Sequence, residues 1–352
     1  MALVSLPSQP AGVDWPTSSW SFADVRYTDQ VTELLNCAFE SEDEIGRTHA
    51  LVVIRGGQII HQEYGGQLEF FDRPPQVIGS DTKLLSWSTA KSILHAVVGL
   101  LVMDGAIDIN AKASVPYWGE DGDPRSEITV EQLLGMVDGL DFVENYVDAR
   151  ASDVIEMLFG SGADDMAAFA AHRELAALPG ARFNYSSGTT NIISAIVSRA
   201  VGPGEPYRRF VHDRLFSKIG MRSPELTFDA AGTWVASSYL HATALDFARF
   251  GYLYLRDGIW DGERILPPGW VDNARIPRSR DSETGYLYGA HWWVDEDELG
   301  TFRASGYEGQ MIVVSPGLDL VFVRLGKTPE NHKQNLDRWR TDLIRALSDQ
   351  FS

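Results

Sequence analysis

Cysteine occurs once in the 352-residue chain, at Cys37, so no intrachain disulfide can brace the fold. A lone cysteine of this kind is expected to fill a small apolar space in the core. Lysine is scarce too, with six residues, and the 30 basic residues face 49 acidic ones for a net charge of −19. A surface of that sign disfavours nucleic acid and anionic membranes and favours solubility. No apolar run reaches the 18 residues that a membrane-spanning helix requires. The first ten residues lack a basic segment leading into an apolar one, which predicts a soluble cytoplasmic protein without a secretory leader. Also missing are His-Glu-x-x-His, Cys-x-x-Cys, a Walker loop and Gly-x-Gly-x-x-Gly, and the eight histidines are scattered. Gly-x-Ser-x-Gly is absent as well, and with it the nucleophile elbow of α/β-hydrolases.

What is present is enough apolar material for a large core, 44% of the chain with 10 Trp, 12 Tyr and 16 Phe. Within it, Leu84–Leu94 sets Ser88 and Lys91 three residues apart at the start of a helix. Residues at i and i+3 share a helix face at about 5–6 Å. A lysine amine held there can take the serine proton, provided burial keeps it from being permanently charged. Ile93, Leu94, Val97, Val98, Leu100, Leu101, Val102 and Met103 follow, closed by Asp104-Gly105. A helix apolar nearly all round is a core helix, so Lys91 is expected among groups that desolvate it. Ser80-Asp81-Thr82-Lys83 has the same spacing but lies in a polar loop where both side chains can face water. The competing view of Ser88 is a plain N-cap with Lys91 snorkelling to the surface.

Periodicity predicts a helix over Tyr27–Glu40 and a β-hairpin from His49–Ile54 and Gln58–Tyr64 turning at Gly56-Gly57. A mostly helical tract follows, with a capping box at Thr129–Gln132 and helices near 152–159, 165–176, 189–201, 205–218 and 243–256. Pro267-Pro268 is expected to open a short helix. Strands are predicted at Tyr288–Asp295, Met311–Ser315 and Leu318–Leu325, and a closing helix at Lys333–Asp349. Strands at both ends around a helical middle imply an α/β (α+β) two-lobe fold, its antiparallel sheet built from both termini and flanked by helices. The sheet lobe takes about 1–80 plus 285–352, and the inserted helical lobe about 81–284.

Taken in order, these motifs resemble serine hydrolases related to class C β-lactamases and penicillin-binding proteins, and among them 6-aminohexanoate-dimer hydrolases and related carboxylesterases. The resemblance starts at Asp14-Trp15-Pro16 and is carried by Ser88-Thr89-Ala90-Lys91. It continues through Gly139–Phe142, Glu144-Asn145-Tyr146-Val147-Asp148, Pro179–Gly188 and Ala242–Gly251, and ends at Gly306–Gln310. It implies a β-lactamase-like fold with one cleft between the lobes and Ser88 at its edge.

By that resemblance Ser88 is the nucleophile, Lys91 the base, and Tyr185 a proton shuttle whose phenol a nearby ammonium would acidify. Ser187 stands where the family carries an asparagine. The third motif, normally Lys-Thr-Gly or His-Thr-Gly, here reads Ala304-Ser305-Gly306, so the cation that holds a substrate carboxylate is missing. The backbone amides of Ser88 and Tyr307 remain as oxyanion donors. Tyr146 is implied to close over the substrate, with Ser187, Gly306, Trp87 and Trp293 lining its site; Trp118 and Trp292 are further candidates, and His241 is read as structural. The expected reaction is hydrolysis of an ester or amide through an acyl-enzyme. The rivals are β-lactam or D-alanyl-D-alanine chemistry and a silent binding protein of the same fold. No cofactor or metal is called for, the partner is a small-molecule substrate, and the assembly is a monomer or homodimer.

Overall fold

A computed structural model describes residues 3–69, 74–119, 122–146 and 152–352. Val147 and Asp148, the end of the Glu144–Asp148 motif, lie outside the described residues.

Alternation along the central strands decides the architecture. In Leu320–Lys327, Val321, Val323 and Leu325 face one core, while Leu320 and Phe322 face another. Arg47–Arg55 divides likewise, with Ala50, Val52 and Ile54 against Leu51 and Val53. Strands apolar on both faces must be covered on both. On one side lie the helices Asp29–Glu40 and Lys333–Phe351, whose Val31, Leu35, Leu343 and Leu347 are buried. On the other lie the helical lobe and the helix Ala244–Leu255. Gly251 brings that helix so close that a Cβ there would sit 2.7 Å from Val321.

Nine strands form one sheet among the described residues. Their order across it is Ser21–Phe22, Gln58–Tyr64, Arg47–Arg55, Leu320–Lys327, Gln310–Ser315, Phe302–Gly306, Trp293–Val294, Leu287–Tyr288 and Ser279–Arg280. Every pair is antiparallel except the first, where Ser21–Phe22 runs parallel to Gln58–Tyr64. The centre joins the two ends of the chain, with Val323 opposite Val52. The edge strand Ser279–Arg280 and the helix Ala244–Leu255, both inside 81–284, also join this sheet layer.

The helix Tyr27–Glu40 begins two residues later than expected, capped by Thr28, and the capping box at Thr129 and Gln132 is formed. Four expectations need correction. Tyr288–Asp295 is two short strands, because His291 adopts φ +56° and breaks the extended run. The helix expected over 165–176 ends at Ala171, since Leu175 pairs with Leu140 as an isolated bridge. Pro267-Pro268 precedes its helix, which opens at Trp270 after Gly269 in the left-handed region. Cys37 is half-buried against the second core rather than sealed in it. No helix among the described residues is long and apolar enough to cross a membrane.

Candidate active site

The helix Thr89–Met103 enters the core from a fixed point. Leu84–Leu85 pairs with Leu240–Ala242, and the Ser86 amide donates to the Leu240 carbonyl at 2.8 Å. Trp87 then adopts φ +45°, a conformation that costs a residue other than glycine on the order of 1 kcal/mol or more. Its ring is held edge-on to Tyr307, centroids 5.4 Å apart. Ser88 occupies the N-cap position but accepts no capping bond. Its hydroxyl meets the Lys91 amine instead, Nζ to Oγ 2.9 Å.

Lys91 does not snorkel; it is 1% exposed. Nζ also donates to the Ser187 hydroxyl at 3.0 Å and to the Ser237 carbonyl at 2.8 Å. The Ser187 hydroxyl gives its own proton to Glu144 Oε1 at 2.6 Å, so towards Lys91 it can only accept. Two of the three positions on Nζ are thus fixed as N–H donors. When the amine is neutral, the remaining lone pair points at Ser88 Oγ, the orientation a base for that hydroxyl needs.

Burial lowers the Lys91 pKa from 10.5 to about 8, with the Glu144 charge pulling it back up. A substantial fraction of the amine is therefore neutral near pH 8. The buried His291 imidazole does not compete. Its Nδ1 faces the Leu134 carbonyl at 2.9 Å and its Nε2 faces Thr190 Oγ1 at 3.1 Å. Burial holds its pKa down at about 3, the proximity of Lys91 adding to this.

Tyr185 comes from the loop before the helix Ser187–Val201. That loop is pinned by Asn184, whose side chain donates to the Leu140 and Phe142 carbonyls, both at 3.1 Å. Ser186 caps the helix by accepting from the Thr189 amide. The Tyr185 ring lies 5.0 Å from Lys91 Nζ and stacks on Trp293 at 5.5 Å. Its phenol is not acidified, contrary to the expectation from the lysine charge. Burial and the negative charge of Glu144 push its pKa well above the ordinary tyrosine value, against a smaller opposing hydrogen bond with Ser88. Tyr185 can give or relay a proton here but not act as the resting base.

The strand Phe302–Gly306 supplies the opposite wall. Only Phe302 and Arg303 pair with Trp293–Val294, so beyond them no strand among the described residues joins that edge. A Cβ on Gly306 would lie 3.1 Å from the Ser88 nitrogen and 2.6 Å from the Ser86 carbonyl oxygen, so the backbones of Ser88 and Gly306-Tyr307 are in direct apposition. Gly306 has φ −129°, and close approach rather than conformation demands the glycine. Ala304, where the related motif carries a base, is buried at 1% exposure. Tyr307 is 37% exposed and stacks on Tyr146, centroids 4.9 Å apart. Tyr146 in turn donates to Glu144 Oε1 at 3.0 Å.

Comparison with known proteins bears on the family and the fold. The family model described as Beta-lactamase matches residues 44–347. The chain belongs to that family. It is 28% identical over 307 residues to the 6-aminohexanoate-dimer hydrolase of Paenarthrobacter ureafaciens, covering 80% of this chain and 73% of that one. A Bacillus anthracis structure provisionally named a 6-aminohexanoate-dimer hydrolase superposes with a TM-score of 0.75 at 21% identity, covering 99% and 92% of the two chains. A family VIII carboxylesterase gives a TM-score of 0.69 at 17% identity, covering 93% and 98%. The last two show a shared β-lactamase-like fold.

In this Beta-lactamase family member the residues singled out from sequence, Ser88, Lys91, Tyr185, Ser187, Tyr146, Gly306, Tyr307, Trp87 and Trp293, fall in one contiguous cluster. Other candidates stay outside it. Lys83 pairs with Glu225 on the surface and Ser80 is exposed. Trp118 and Trp292 are core side chains, the first bonded to the Ala171 carbonyl and the second packed on Phe250 and Tyr254. His241 sits in the small sheet opposite Leu85, and burial lowers its pKa. Two contributors were missed. Glu144, quoted in a motif without a role, accepts from the Ser187 amide and hydroxyl and from Tyr146. Ser237 acts through its carbonyl, which leaves no trace in residue identity. Among the described residues no cluster of three or more His, Cys, Asp or Glu suits a metal ion.

Proposed function

We propose that this protein is a serine hydrolase that cleaves an ester or amide through an acyl-enzyme on Ser88. One observation carries the reading: a buried amine of lowered basicity lies 2.9 Å from the Ser88 hydroxyl, its other bonds directing the lone pair there. Ser88 Oγ attacks the carbonyl carbon as its proton passes to Lys91 Nζ. The amides of Ser88 and Tyr307 hold the oxyanion, a contribution of about 3 kcal/mol per donor. The tetrahedral adduct collapses, and the leaving oxygen or nitrogen takes a proton from Tyr185, which Lys91 resupplies. Water then attacks the acyl carbon, gives its proton to Lys91, and releases the acid with Ser88 restored.

The walls support a substrate class. Tyr146, Tyr307, Trp87, Tyr185 and Trp293 form an aromatic surround, Glu144 adds negative charge, and Ala304 offers no cation for a carboxylate. This supports short-chain esters and linear amides over β-lactams or D-alanyl-D-alanine peptides; a 6-aminohexanoate oligomer fits through its terminal ammonium near Glu144, its carboxylate finding no cation at Ala304. The test is intact-mass and burst kinetics with a p-nitrophenyl ester, run beside aminohexanoate oligomers, nitrocefin and penicillin. The expected result is an acyl adduct and burst in the parent protein, neither in Ser88→Ala, and little nitrocefin turnover. Unchanged turnover in Ser88→Ala would refute the nucleophile, and failure of a fluorophosphonate to label Ser88 would favour a silent protein of this fold.

A further inference from the structure

Behind the Gly306-Tyr307 wall, on the face of the sheet turned away from the cleft, is a costly arrangement that the scheme above does not use. Arg324 is fully buried, yet no carboxylate lies within ion-pair distance of it among the described residues. A buried charge without a partner is expensive unless its donors are fully engaged. Arg324 Nη1 donates to the carbonyls of Glu308 (3.2 Å) and Gly309 (3.0 Å), Nη2 to the Arg47 carbonyl (3.0 Å), and Nε to Thr48 Oγ1 (3.1 Å). On the strand paired with it, the buried Gln310 side chain donates to the carbonyls of Tyr307 (3.0 Å) and Gly326 (2.7 Å) and accepts from the Gly326 amide (2.9 Å). Three successive carbonyls, of residues 307, 308 and 309, are therefore gripped by two buried side chains.

The segment they grip would not hold its shape unaided. Glu308 and Gly309 both adopt left-handed conformations, φ +59° and +81°, in a turn exposed at its tip. Gly309 is required by closeness as well, since a Cβ there would lie 2.6 Å from Arg324 Nη1. The peptide leading into this turn carries the Tyr307 amide. An oxyanion donor is effective only if it is held in place before charge develops, and a misplacement of about 1 Å costs on the order of a hundredfold in rate.

We propose that Gln310 and Arg324 are positioning residues that lock the Tyr307–Gly309 turn and so keep the Tyr307 amide directed at the oxyanion. This rests on the reading of Ser88 as nucleophile with the Tyr307 amide as its oxyanion donor. Neither side chain touches substrate. Their effect passes through the backbone and belongs to the transition state, not to substrate binding.

The test uses the full chain with Gln310→Leu and Arg324→Lys, each checked for folding by circular-dichroism melting. Each is assayed for kcat and KM on p-nitrophenyl butyrate and for inhibition by a trifluoromethyl ketone, which adds to Ser88 as a tetrahedral oxyanion. The expected result is a fall in kcat of about ten- to a hundredfold with KM nearly constant, and a matching rise in the ketone inhibition constant. The pH midpoint of the acid limb, set at Lys91, should stay in place. Gln310→Asn, which keeps the amide but shortens its reach, serves if the leucine variant does not fold. Folded variants that bind the ketone as tightly as the parent overturn the proposal. A Ser88→Ala protein that keeps its turnover and ketone affinity overturns the underlying reading instead, so the two failures are distinct.

Discussion

Lys91→Met separates the cost of holding an amine in the core from its use. In the unfolded chain the amine titrates near 10.5; in the folded one burial brings it to about 8. A lysine whose folded pKa is depressed destabilises the native state below that value, and the penalty fades as pH rises towards 10.5. At about 1.36 kcal/mol per unit, the shift is worth roughly 3 kcal/mol at pH 7 and about 1 kcal/mol at pH 9.5. Methionine removes the titration, nearly preserves volume, and leaves the Ser237 carbonyl without its donor at a pH-independent cost of about 1–3 kcal/mol. The stability of Lys91→Met relative to the parent should therefore drop by about 2 kcal/mol between pH 7 and pH 9.5, whatever its absolute value. Urea unfolding of both proteins at the two pH values measures this difference, with other titrating groups cancelling. The variant should also be inactive, because members of a nucleophile–base pair fail together. An identical stability difference at both pH values would mean that the folded amine keeps its ordinary basicity and presents no lone pair to Ser88 at neutral pH.

Three further outcomes can be read from kinetics. Glu144→Gln removes the charge that raises the Lys91 pKa, so the acid limb of kcat/KM should move below pH 8; a lower plateau with an unmoved midpoint would reduce Glu144 to a packing role. Gly306→Ala places a methyl 3.1 Å from the Ser88 nitrogen, and should cut acylation about a hundredfold, measured as the burst rate with an activated ester, while a normal burst would argue that the two backbones do not form one oxyanion site. Tyr146→Phe loses a hydroxyl beside the cluster, and hydrolysis of an amide should suffer more than that of an ester, because the poorer leaving group needs more help; equal losses would deny Tyr146 a part in leaving-group chemistry.

Much of this was legible from residue types. The apolar run after Lys91 forecast its burial, and Leu318–Leu325 was readable as a strand, though not as one buried on both faces. What escaped was set by partners distant in sequence. The acidification expected for the Tyr185 phenol assumed an ammonium beside it, but burial that lowers the lysine pKa also raises that of the phenol, and Glu144 reinforces the rise. Glu144 itself was one acidic residue among 49, and only the folded loop brings it to Ser187. The break at His291 in a run that reads as a strand reflects a tertiary override: its backbone amide and imidazole both reach the Leu134 carbonyl, more than 150 positions away.

The sheet has a vectorial consequence. Arg47–Arg55 is synthesised well before its central neighbour Leu320–Lys327, and Arg324 reaches Thr48 across 276 positions. Contacts so remote in sequence form slowly and late. The helix bearing Ser88 and Lys91 is synthesised long before Gly306, Tyr307, Gln310 and Arg324 exist. A nascent chain thus carries Ser88 and Lys91 without the Gly306-Tyr307 wall, so on the proposed reading competence for acylation should switch on only after translation delivers Gly306–Lys327.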